Sequence, residues 1–114
     1  MTATIYHNPR CSTSRKTLDR LRAAGVEPEI VKYLDTTPDA DQLRELIHAA
    51  GLTVHEAVRT KEAEYKELGL SPETPDEELL AAMAAHPRLI QRPFVVTGKG
   101  VRMARPVEAV DEIL

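Results

Sequence analysis

TATIYHNPRCSTSRKTLDRLRAAGVEPEIVKYL, residues 2–34, carries the pattern that decides the fold. Thr2–His7 is rich in β-branched residues and Tyr6, and predicts a short strand. Helix signals run from Ser12 to Ala24, with Leu18 and Leu21 on one face and Gly25 as the stop. Glu29–Leu34 predicts a second strand. Two strands around one helix make a βαβ unit, so the strands should be parallel and the crossover right-handed. The only cysteine, Cys11, falls where the first strand hands over to the helix. The partial positive charge of a helix start favours thiolate over thiol. Ser12, Thr13, Ser14 and Arg15 follow it, all able to donate hydrogen bonds to an anion. The pattern is that of a sulfur nucleophile meeting an oxyanion.

Outward from this unit the middle of the chain is helical. Thr37-Pro38 predicts an N-cap and a first helical residue. Leu43, Leu46, Ile47 and Ala50 keep helical spacing to Gly51. Thr53 and Glu56 form a capping-box pattern for a short helix through Val58. Glu62–Leu68 predicts another turn or two before Gly69. Thr74-Pro75 with Glu77 repeats the capping logic, and Leu79, Leu80 and Met83 supply the apolar face before Pro87. The last third returns to strands. Phe94–Thr97 and Val101–Ala104 flank the turn Gly98-Lys99-Gly100, predicting an antiparallel pair. Pro106 then starts a terminal helix with Val107, Val110, Ile113 and Leu114 inward. The expectation is one α/β domain over residues 1–114. It has a four-stranded mixed sheet (β-α-β then β-β-α) and an all-helical insert at about 36–88 between strands 2 and 3.

The chain has 114 residues, 42% hydrophobic and 29% charged, which suits a globular protein with a buried core. A net charge of −3 argues against nucleic acid as a partner. No apolar run approaches the roughly 18 residues that span a bilayer. Met1–Tyr6 is too short and lacks the basic stretch of a signal peptide. One cysteine cannot form an internal disulfide, so a reducing, cytoplasmic setting is the expectation; a monomer is expected besides.

The element order resembles the thioredoxin-like fold, whose active cysteine lies at the end of the first strand. That fold places a proline, usually with a cis bond, before the third strand; Pro93 holds the corresponding position. More closely, the chain resembles the glutaredoxin-dependent arsenate reductase family. Its His-Asn-Pro-x-Cys-x-x-Ser-Arg run is matched by His7 to Arg15. Its His-Pro pair is matched by His86-Pro87, and its two Arg-Pro pairs by Arg92-Pro93 and Arg105-Pro106. Ser12 stands where glycine often follows the cysteine, which resembles a Cys-Ser-x-Ser branch of the family. A sister group of transcription regulators carries Cys-x-x-Cys. Ser14 at the second position excludes a dithiol switch within this chain.

The resemblance implies an oxidoreductase of arsenical resistance. The Cys11 thiolate would attack arsenic, glutathione would supply an external thiol, and glutaredoxin would resolve the mixed disulfide. The missing second cysteine independently requires an external reductant. The resemblance further implies that Arg59, Arg92 and Arg105 surround the oxyanion, which a planar guanidinium binds bidentately. Read from the residues alone, Cys11 is a nucleophile or a buried inert thiol, and Arg59 an anion ligand or a solvated helix-end residue. His7 tunes the thiol or ends the strand. Ser14 and Arg15 bind the anion, or Ser12–Ser14 cap the helix. The other histidines lack metal-ligand spacing, so neither metal nor bound cofactor is expected. Two alternatives share this reading: a thiol oxidoreductase with another substrate, and a non-enzymatic regulator that binds RNA polymerase.

Overall fold

Strand β1 (Ala3–His7) alternates buried and half-buried residues, with Ala3, Ile5 and His7 turned inward. This period of two is that of a strand with one face packed. The structure, a computed structural model, describes residues 2–114. They form two compact units, one made of the chain up to Thr36 with Arg92–Leu114 and the other of Thr37–Gln91. The second unit spans 37–91, where the sequence reading placed a helical insert at about 36–88.

In the first unit β1 leads to helix α1 (Ser12–Ala23) and strand β2 (Glu29–Lys32). After the insert come β3 (Phe94–Thr97), β4 (Gly100–Met103) and a 3₁₀ helix over Val107–Ile113. The four strands are ordered β2-β1-β3-β4. β1 pairs parallel with β2, Ile5 opposite Ile30, and antiparallel with β3, Ile5 opposite Val95. The βαβ unit and the C-terminal hairpin are thus both as the sequence predicts. β2 stops at Lys32 rather than Leu34, because the Lys32 carbonyl accepts from both the Asp35 and Thr36 N–H at 2.9 Å and turns the chain.

Leu18 and Leu21 of α1 join Ala3, Ile5, Val26, Val95, Ala104, Val110 and Ile113 in one buried cluster. The terminal segment is a 3₁₀ helix, not the α-helix its apolar residues suggested. Val107, Val110 and Ile113 recur every three residues, and a helix of 3.0 residues per turn stacks them on one edge. Gly25 follows α1 with φ of +81°, a backbone that β-carbon-bearing residues rarely adopt.

The second unit contains α2 (Ala40–Ala49), a 3₁₀ turn His55–Ala57, α3 (Ala63–Glu67), α4 (Asp76–Ala85) and a 3₁₀ turn Pro87–Leu89. α2 and α4 pack together, burying Leu43, Ile47, Leu79, Leu80 and Met83. Two caps differ from expectation. α2 is capped by Asp39, not Thr37. The Gln42 N–H donates to Asp39 Oδ1 at 2.8 Å and the Asp39 N–H to Gln42 Oε1 at 3.0 Å, which satisfies two end groups at once. The Thr74 hydroxyl accepts from the Ser71 N–H at 2.9 Å, so Pro75 starts α4 without a side-chain cap. Thr53 and Glu56 do form their capping box, around a 3₁₀ turn shorter than the helix expected.

Leu21 is fully buried, so Leu21→Ala should lower stability by about 2–5 kcal/mol. Leu34→Ala, at a 37% exposed position, should change it by under about 1 kcal/mol. Urea unfolding midpoints of the two variants test this ranking.

Candidate active site

Cys11 is the N-cap residue of α1, extended at φ −92° and ψ 121°. Its carbonyl accepts the first helical bond from the Arg15 N–H at 3.0 Å, and its own N–H donates to the Asn8 carbonyl at 3.0 Å. No side chain caps this end of the helix. The sulfur itself sits at the helix start, where the Ser14 backbone N–H favours its charged form.

The loop before the sulfur is pinned by a buried polar trio, His7, Asn8 and Ser14. The Ser14 Oγ accepts from the Asn8 N–H at 3.1 Å and lies 2.7 Å from His7 Nδ1. Burial, and then the charges of Lys32, Arg15 and Arg22, push the His7 pKa down, so the ring is held neutral. A neutral ring accepting the Ser14 hydroxyl proton at Nδ1 satisfies all three groups. The Asn8 Oδ1 closes the turn by accepting from the Arg10 N–H at 3.0 Å.

Two arginines reach the sulfur from the far end of the sequence. Arg105 Nη2 lies 3.5 Å from Cys11 Sγ, while its Nε donates to the Arg92 carbonyl at 2.8 Å. The Arg92 guanidinium also favours the charged form of the sulfur. The Arg92–Pro93 and Arg105–Pro106 peptide bonds are both cis. The first was expected at Pro93; the second was not. Burial alone pushes the Cys11 thiol up, but the Ser14 N–H and the two guanidiniums outweigh it, and the net shift is downward.

Tyr33 was missed from the sequence. It is 1% exposed, and the Arg92 and Asn8 side chains favour its charged form against the effect of burial. Burial foremost, and the nearby Cys11 charge, raise its pKa, so it stays protonated beside the sulfur. The signal lay in the parallel pairing. His7 is opposite Lys32, so the residue after Lys32 lies beside the loop that follows His7.

Other expected ligands are placed differently. The Ser14 hydroxyl is fully buried in the His7–Asn8 trio, and it is the backbone N–H of Ser14 that favours the thiolate. Nor does that hydroxyl cap α1. Arg15 turns back to donate from Nη1 to the Pro9 carbonyl at 2.8 Å. Arg59 belongs to the second unit, where its Nε donates to Glu62 Oε1 at 3.2 Å and its N–H to the Leu89 carbonyl at 2.7 Å. No group of three or more His, Cys, Asp or Glu side chains suited to a metal occurs among the described residues. No helix among them is long and apolar enough to cross a membrane.

The ArsC family model matches residues 6–113 of this chain. Over 115 residues the chain is 55% identical to an arsenate reductase of Rhizobium meliloti (strain 1021), covering 100% of this chain and 82% of that one. It is 49% identical over 112 residues to a protein of Escherichia coli (strain K12) named uncharacterized protein YfgD, covering 96% and 94%. Among solved structures, an arsenate reductase from Vibrio cholerae superposes with a TM-score of 0.95 at 47% identity, covering 100% and 98%. The architecture is the thioredoxin-like one that the element order suggested.

Alkylation of Cys11 by iodoacetamide should show a pH midpoint below that of a free thiol, which is about 8.5. Arg92→Ala and Arg105→Ala should each move that midpoint upward and slow alkylation at pH 7. A midpoint indifferent to both substitutions would contradict the electrostatic account.

Proposed function

The chain belongs to the ArsC family, and on that premise we propose that it reduces arsenate to arsenite through Cys11. One observation carries the reading: a single sulfur at a helix start lies 3.5 Å from the Arg105 guanidinium, with Arg92 also favouring its charged form. These are the groups a nucleophile needs to attack an oxyanion whose charge grows in the transition state.

In the proposed reaction the Cys11 thiolate attacks arsenic, the S–As bond forms, and one arsenate oxygen leaves as water after protonation. Arg92 and Arg105 hold the remaining oxygens and neutralise their charge. The chain has no second cysteine to go further, so an external thiol is needed. We assign that role to glutathione. Its attack on Cys11 Sγ forms a mixed disulfide and leaves the S–As bonding pair on arsenic as arsenite. Glutaredoxin then returns Cys11 to the thiolate. The resemblance adds Arg59 as a third arginine of the reaction. A reducing cytoplasm would supply both thiol donors.

A second reading keeps the thiol chemistry and changes the substrate. Ser12 follows the cysteine, which favours placement in the Cys-Ser-x-Ser branch, with another oxyanion or a glutathionylated substrate.

Purified protein with glutathione, glutaredoxin and arsenate should release arsenite, and Cys11→Ser should abolish release. Arg92→Ala and Arg105→Ala should each lower kcat/KM by roughly 100-fold, the usual loss for one oxyanion donor. Arg59→Ala tests the third arginine in the same assay. Turnover no greater than the Cys11→Ser background would sink the arsenate reading. Turnover of phosphate, sulfate or glutathionylated substrates in its place would establish the second.

A further inference from the structure

An open groove of about 490 Å³ lies beside Arg105, lined by Thr13, Lys16, Arg20, Val107 and Glu108. Thr13, Lys16 and Arg20 are spaced i, i+3 and i+7, so they share one face of α1. Arg105 belongs to both places: it lines the groove, and its Nη2 lies 3.5 Å from Cys11 Sγ. A ligand in the groove therefore has the sulfur just past one guanidinium.

The charges in the groove are not equivalent. Arg20 is matched by Asp111, with bonds of 2.8 and 2.5 Å. Arg105 is committed to the sulfur and the Arg92 carbonyl. Lys16 is exposed and enters no ion pair among the described residues. Glu108 supplies one carboxylate to the lining. A free cation and a carboxylate in the lining of one groove suit a small ligand that carries both carboxylate and ammonium.

We propose that this groove seats the peptide thiol that reduces the Cys11 adduct, with Lys16 holding a carboxylate and Glu108 an ammonium. The proposal rests on the arsenate reading above and names where its second substrate binds. The seated thiol sulfur attacks Cys11 Sγ, the S–S bond forms and the S–As bond breaks. The bonding pair stays on arsenic, which passes from As(V) to As(III), and the thiol proton goes to an arsenite oxygen. The two sulfurs supply the two electrons.

The test separates the thiol step from arsenate. Cys11 of the full chain is first converted to its mixed disulfide with 2-thiopyridine. Release of thiopyridone is then timed with glutathione, which carries carboxylates and an ammonium, and with cysteamine, which carries only an ammonium. In the parent protein glutathione should be favoured. Lys16→Glu should lower the glutathione-to-cysteamine rate ratio by roughly three- to tenfold, as expected for reversing one exposed charge. Lys16→Gln should lower it less and guards against misfolding of the first variant. A ratio unchanged in both variants would overturn the groove assignment. Arsenate adduct formation, followed separately by mass spectrometry, reports on the arsenate reading: its failure alongside a shifted ratio would remove arsenate and leave the groove.

Discussion

The sulfur of Cys11 is pulled two ways. Partial burial alone would keep it protonated and unreactive, the ordinary fate of a cysteine inside a protein. The Ser14 N–H and the guanidiniums of Arg92 and Arg105 outweigh that burial and hold it toward thiolate. Each of these donors is useful only if the backbone beneath it is fixed. Much of the first unit can be read as the scaffold that fixes them.

The sheet register does most of this. Tyr6, near the end of β1, lies opposite Phe94 at the start of β3, and Phe94 lies opposite Met103 at the end of β4. The chain therefore leaves β1 for Cys11, enters β3 from Arg92 and leaves β4 for Arg105 at one end of the sheet. Residues far apart in sequence become neighbours because antiparallel pairing returns the chain to the same edge. Tyr33 arrives by the parallel pair, one residue beyond Lys32, which faces His7. The buried apolar cluster under Ile5 and Val95 holds that register, since a slip of one residue would turn both side chains to the other face.

This explains what the sequence made legible. The strand-to-helix change around Cys11 is local, written in β-branched residues, hydroxyls and the Leu18–Leu21 spacing, and it was readable directly. Arg92 and Arg105 were reachable only through family resemblance, because no local pattern connects residues 94 positions apart. Tyr33 looked like any strand aromatic; its role depends on which strand lies beside it. The terminal helix was misread because apolar spacing of three and of three-to-four overlap over only two turns. The caps at Thr37 and Thr74 were misplaced because several short polar residues stood close together, and the one completing a reciprocal pair, Asp39 with Gln42, won.

Ser14 is where the loop's structure and its chemistry meet. It occupies the position that would hold the second thiol of a dithiol pair, yet its Oγ is buried against His7 Nδ1 and the Asn8 N–H. A thiol there would be a much weaker partner for both groups and would loosen the loop that presents Cys11. The hydroxyl thus trades an internal reductant for rigidity. Its backbone N–H gains from that rigidity, because a donor fixed at the helix start can face the sulfur without reorganising as charge moves. The chain is left with one well-held nucleophile and no means of its own to regenerate it. A disulfide-forming step therefore has to draw its second sulfur from another molecule, and the groove beside Arg105 is open to admit it.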